Sequence, residues 1–204
     1  MTTPAEVSAA TVLVAVDTRS RDLAAADHAV HRLEEVLGDA THFLASTHLV
    51  PGGDARVVLA AECEPSTLRD PADLMAAVRE AFSDAGVVVV AGGRTVAHGP
   101  VELVAGARDA LDRHRSRSSG RLVRYPGQEV VESRVSVGEV LDASCIDEVT
   151  GLAGTDIHPQ SELDLTGFAR PTWTAGRVTL LVQPAVHALI PFEVRDQVPC
   201  CSHH

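Results

Sequence analysis

Apolar residues in the first half of the chain fall into blocks that switch between strand and helix spacing. Residues 11–16 (Thr-Val-Leu-Val-Ala-Val) form a short β-branched run closed by the turn formers of 17–22, the pattern of a strand buried on both faces. Over 22–37, Leu23, Ala26, Val30, Leu33 and Leu37 recur at steps of three or four, which predicts an amphipathic helix stopped by Gly38. Two further strands are expected over 42–50 and 55–63, joined in a hairpin through Pro51, Gly52, Gly53 and Asp54. Asp70 as N-cap and Pro71 behind it open a second helix, whose buried stripe is Leu74, Ala77, Val78, Ala81 and Phe82. Gly86 is expected to end it, and 87–91 to form a fourth, buried strand.

Strand, helix, hairpin, helix, strand is the order of a ferredoxin-like βαββαβ sandwich, the architecture expected for residues 11–115 of an α+β chain. A third helix is predicted over 100–115, ending in a polar, exposed connection over 113–120. Residues 1–10 read as a disordered lead-in. Residues 121–204 are broken throughout by proline and glycine and read as a mostly β C-terminal region. Strands are expected there at 129–137, within 163–173, at 178–183 and at 188–194, with a hairpin through 174–177 and a short helix within 137–148.

At 204 residues and 45% hydrophobic, the chain can bury a core without covalent staples. It holds no apolar run of the roughly 20 residues that cross a bilayer, its start lacks the order of a signal peptide, and four cysteines are too few for a secreted framework. A cytoplasmic location without membrane contact is therefore expected. The net charge of -11 and the shortage of aromatic rings argue against nucleic acid as a partner. All 17 basic residues are arginine, so Schiff-base chemistry, a pyridoxal phosphate aldimine and a lysine-bearing P-loop have no amine to build on.

Candidate chemistry is concentrated in three places. The C-terminal Cys200, Cys201, His203 and His204 are the ligand types that suit Zn²⁺ or Cu⁺, although adjacent cysteines diverge in an extended chain. A site there would draw on one cysteine, one histidine and a partner such as His158 or Cys145. His42 and His48, with Ser46 between them, share one face of a regular strand and are expected on the open face of the sheet, where a ligand or a second copy of the chain can dock. The segment 91–100 reads as a Gly-Gly loop leading to a helix start, with Arg94 to hold an anion and His98 to exchange a proton. Cys145, between carboxylates, reads as a small buried residue and not a nucleophile.

Residues 11–22 are similar to the first strand and loop of the class II chelatases of tetrapyrrole synthesis, Glu62-Cys-Glu-Pro-Ser66 resembles their strand-end segment, and His98 falls near their second metal-handling histidine. The Asp17 region stands where their first-loop histidine is expected, and the hairpin at 51–54 is an addition, so membership is not assigned. The function expected is that of a metal-binding protein or metal-dependent small-molecule enzyme built on the C-terminal Cys/His cluster. The alternative is a non-catalytic ligand-binding or homo-oligomeric module with an incidental tail.

Overall fold

The computed structural model describes residues 11–38, 40–51, 55–65 and 70–195. In chain order these carry β1 (Val12–Asp17), α1 (Leu23–Leu37), β2 (Ala40–Val50), β3 (Arg56–Pro65), α2 (Pro71–Ala81), β4 (Gly86–Ala91), β5 (Arg94–His98), α3 (Val101–Ser116) and β6 (Ser119–Arg124). There follow α4 (Gln128–Val131), β7 (Arg134–Ser136), α5 (Val137–Ala143), β8 (Glu148–Gly151), β9 (Glu162–Asp164), β10 (Thr172–Thr174), β11 (Arg177–Pro184) and β12 (Leu189–Pro191). The chain is thus mixed α and β, with five α-helices and twelve strands among the described residues. It divides into two compact units, one of residues 1–126 with 172–176 and one of 127–171 with 177–204.

In the N-terminal unit seven strands pair antiparallel in the order β5-β4-β1-β3-β2-β6-β10. The centre of the sheet is buried from both sides. Val12, Val14 and Val16 pack with Val30, Leu33, Leu74 and Val78 of α1 and α2. The alternate positions Leu13 and Ala15 pack with Ala107, Ala110 and Leu111 of α3. Helices therefore lie on both faces, α1 and α2 on one and α3 on the other.

The caps follow the local chemistry. Asp22 accepts a hydrogen bond from the Ala24 N–H at 2.7 Å and Asp70 one from Ala72 at 2.8 Å, each satisfying a free donor in the first turn of its helix. Gly38, at φ 68°, closes α1 through its N–H to Glu34. α2 stops at Ala81 with Phe82 as its cap, and Gly86 opens β4 instead of ending the helix. The segment 91–100 is not a loop: Gly92 and Gly93, both at positive φ, turn the chain back on itself and β5 pairs with β4.

The C-terminal unit is built on short strands, β7 antiparallel to β9, β9 parallel to β12, β12 antiparallel to β11, and β8 parallel to β11. Val131, Val137, Val140, Ile146, Leu163, Leu165 and Leu180 are buried. Where one strand was expected over 129–137, Gly127 at φ 82° starts the helical turn α4, and the strand is confined to β7. α5 begins at a full capping box, Ser136 accepting from the Glu139 N–H while the Glu139 carboxylate accepts from the Ser136 N–H at 2.7 Å.

Two glycines set how closely α3 lies on the sheet. A Cβ at Gly86 would stand 2.2 Å from the carbonyl carbon of Leu103, and one at Gly106 would stand 2.3 Å from Asp17 Oδ2. Gly86→Ala is expected to force α3 away and cost about 3 kcal/mol in a urea unfolding series. Gly93→Ala, with nothing within 4 Å of the added carbon, should lose only the left-handed backbone preference, about 1 kcal/mol.

Candidate functional site

The densest polar arrangement lies inside the N-terminal unit, under α3. Ser46 and His48, two residues apart on β2, point to the same face, and α3 brings His114 down onto them. Ser46 Oγ stands 2.7 Å from His48 Nε2 and 2.7 Å from His114 Nδ1, and all three residues are buried. One hydroxyl carries one proton, so one ring donates to it and the other accepts from it. His114 Nε2 lies 3.7 Å from Glu62 Oε2 of β3, which favours a proton on that nitrogen. The chain of donors then runs from His48 Nε2 to Ser46 Oγ and from Ser46 to His114 Nδ1.

Glu62 is held in turn by Arg117, the left-handed cap of α3, whose guanidinium stacks 4.5 Å from the Trp173 ring centroid. Trp173 meets the edge of the His114 ring at 5.1 Å. Burial, and then the Arg113 charge, push the His48 pKa down to about 4. Burial, followed by Arg117 and His48, carries His114 well below the usual imidazole range. Both rings are neutral at pH 7. His48 Nδ1 and His114 Nε2 are buried without a hydrogen-bond partner among the described residues.

A hydroxyl between two imidazoles, with a carboxylate behind one of them, has the residue types of a nucleophile, its base and an orienting group. Ser46 is 0% exposed, so in this conformation its oxygen is closed to any substrate. The face expected to be open to ligands or to a second copy is covered by α3, and His48 is a core residue. His42 does not join it. The β2 register shifts between Thr41 and Leu44, His42 takes φ 54°, and its side chain is exposed.

The remaining sequence candidates are dispersed. Arg94 is exposed on β5, 3.3 Å from Asp70. His98, at the other end of that strand, borders a shallow depression of about 420 Å³ beside Val101, Val104 and Arg108. His158 is exposed, and Cys145 is half-buried. Cys200, Cys201, His203 and His204 lie outside the described residues, among which no group of three His, Cys, Asp or Glu side chains is placed to hold a metal ion. Asp17 is fully buried and paired with Arg56 at 3.0 Å.

Sequence reasoning missed His114, which meets His48 through Ser46, and the Glu62, Arg117 and Trp173 that surround His114. The signal for His114 was present: it continues the buried stripe of Leu103, Ala107, Ala110 and Leu111 at helical spacing.

A second site lies within the C-terminal unit, a cleft of about 700 Å³ between α5, β7 and β9. Arg134 and Glu139 on its wall are committed, Arg134 to Asp164 at 2.8 Å and Glu139 to Ser136. Hydrogen bonds from the Ser136 N–H and hydroxyl hold the Glu139 carboxyl below its ordinary pKa. Asp142 and Glu162 face the same space with no hydrogen bond or ion pair to their carboxylates among the described residues, beside Gln160, His187 and the apolar Val135 and Leu163.

Comparison with family models, with curated proteins and with solved structures finds no match for the chain. No helix among the described residues is long and apolar enough to cross a membrane.

Ser46→Ala removes the partner shared by both imidazoles. Each nitrogen left unpaired should cost about 1–3 kcal/mol in unfolding free energy. Ser46→Thr, which keeps the hydroxyl, should recover part of that loss in the same measurement.

Proposed function

We propose that the protein is a small-molecule-binding module whose site is the cleft of the C-terminal unit. The observation that carries this is the pair of uncommitted carboxylates, Asp142 and Glu162, on a cleft whose volume suits a small ligand. Acceptors free of internal partners favour a ligand that brings hydrogen-bond donors and positive charge, such as an aliphatic amine or a guanidine. Val135 and Pro159 supply an apolar surface for its carbon skeleton. The N-terminal unit is then the scaffold, which we read as an enlarged ferredoxin-like core. Support for that comes from the order β4-β1-β3-β2 with α1 and α2 on one face, to which β5, β6, β10 and α3 add. A second copy of the chain would meet it at a surface other than the covered sheet face, such as the exposed edge strand β5.

Titration calorimetry with a panel of mono- and diamines and guanidines is expected to find at least one binder. Asp142→Asn with Glu162→Gln should weaken it at least tenfold, about 1.4 kcal/mol, with the circular dichroism unchanged. A panel without binders, or binding indifferent to the double variant, would sink the proposal.

The residue types at Cys200, Cys201, His203 and His204 favour a second reading, in which the tail binds a transition metal, zinc or copper. Elemental analysis of untagged protein purified without chelators should then find near-stoichiometric metal that is lost in Cys200→Ser/Cys201→Ser. A metal-free result after reconstitution would remove it.

A further inference from the structure

Two neutral imidazoles that share one hydroxyl form a joint that works in a single protonation state. If His114 takes a proton, both of its ring nitrogens become donors, and the Ser46 hydroxyl, already receiving the His48 N–H, loses the acceptor for its own proton. If His48 takes one, a new N–H appears at Nδ1, which has no hydrogen-bond partner among the described residues.

The neighbouring charges oppose either event. α3 presents Arg113, tied to Asp109 at 2.8 Å, and Arg117, both of which disfavour a cation on the pair. Arg115 also lies in the last turn of α3, where the helix dipole would otherwise welcome a positive charge. From β3, Glu62 would attract a cation on His114, but it already neutralises Arg117. β6 adds Gly120, against which the His48 ring is packed, and β10 adds Trp173, at the edge of the His114 ring.

We propose that the Ser46–His48–His114 cluster is an acid-operated latch, which holds the C-terminal half of α3 on the sheet near neutral pH and releases it on acidification. The joint connects α3 to β2 and β3 at the end of the helix that carries His114 and Arg117. Its release bares Val50, Val58 and Ala60, the part of the sheet that Ala110 and Leu111 cover. The latch is independent of any ligand in the C-terminal cleft.

The sign follows from linkage. An imidazole neutral in the closed form and ordinary in the open form binds its proton on opening, so the closed form is fully favoured above about pH 6.5 and loses ground as pH falls toward the closed-form value. For His48 that lower limit is about 4.

The test is hydrogen exchange on the full chain between pH 7.5 and 5.0, corrected for intrinsic chemistry, read with the emission of Trp173, the single tryptophan. Amides of residues 107–117 are expected to open about thirtyfold more at pH 5 from His48 alone, while those of α1 stay protected. Trp173 emission should change over the same range. In His48→Gln/His114→Gln the pH dependence should disappear. Because that variant can fail to fold, the imidazole Cε1 proton shifts of the wild-type chain give a second measurement, expected to titrate below 6. Opening of α1 and α3 together, protection of α3 independent of pH, or ring shifts that titrate near 6.5 would each overturn the proposal.

Discussion

The constraint on which the N-terminal unit depends is that β1 has no polar position between Val12 and Val16. Period-two alternation sends Val12, Val14 and Val16 to one face and Leu13 and Ala15 to the other, so neither face of the sheet centre can be left to water. The two crossover helices α1 and α2 cover the first. Something must cover the second, and α3 does so, admitted by Gly86 and Gly106. Once α3 is there, the polar residues that β2 sends to the same face are buried with the rest. Ser46, His48 and His114 are hydrogen-bonded to one another because leaving any of them unpaired at that depth costs more than the bonds return.

What was legible in the sequence followed from this same patterning. β1 and α1 form where expected, and so does the start of α2, where the periodicity is strong and Asp22 and Asp70 cap the helices. β5 was not legible as a strand. With the burial of an edge strand and only Val96 partly covered, it offers no apolar alternation, and the Gly92-Gly93 turn that makes it a hairpin reads equally well as a flexible link. The parity argument for His42 and His48 failed at a register shift, which swaps the faces of a strand without a residue type that announces it. The burial of His48 could not be read from β2 alone, since it depends on a helix more than fifty residues downstream, at Val101–Ser116.

The absence of lysine, which reads in the sequence as a list of excluded chemistries, has a structural counterpart. Arginine forks make planar, paired contacts that an ammonium cannot. Arg121 meets both oxygens of Asp27 at 2.6 and 3.1 Å in a pair that is largely buried, tying β6 to α1. Arg117 and Arg170 each join a carboxylate while stacking on an aromatic ring, Trp173 for the first and Phe168 for the second. A chain with few aromatic residues thus uses Trp173 and Phe168, and also Phe82 under Arg32, as platforms for guanidinium groups, which lowers the cost of placing charge at partly buried positions.

The two units treat their ionisable groups in opposite ways, and this separates architecture from recognition. Around β2 and α3, Asp17 answers Arg56, Glu62 answers Arg117 and Ser46 answers two imidazoles, so the polar groups hold elements together. On the cleft of the C-terminal unit, Glu139 and Arg134 are spent in the same way, on a helix cap and on a strand neighbour. Asp142 and Glu162 are not: their carboxylates serve neither α5 nor β9. Exposed acidic groups need no partner in water, so both carboxylates stay open to a ligand that enters the cleft. On the reading proposed above, a cationic ligand would supply the partner that the fold does not. In the first unit, by contrast, the carboxylates Asp17 and Glu62 are already engaged by Arg56 and Arg117.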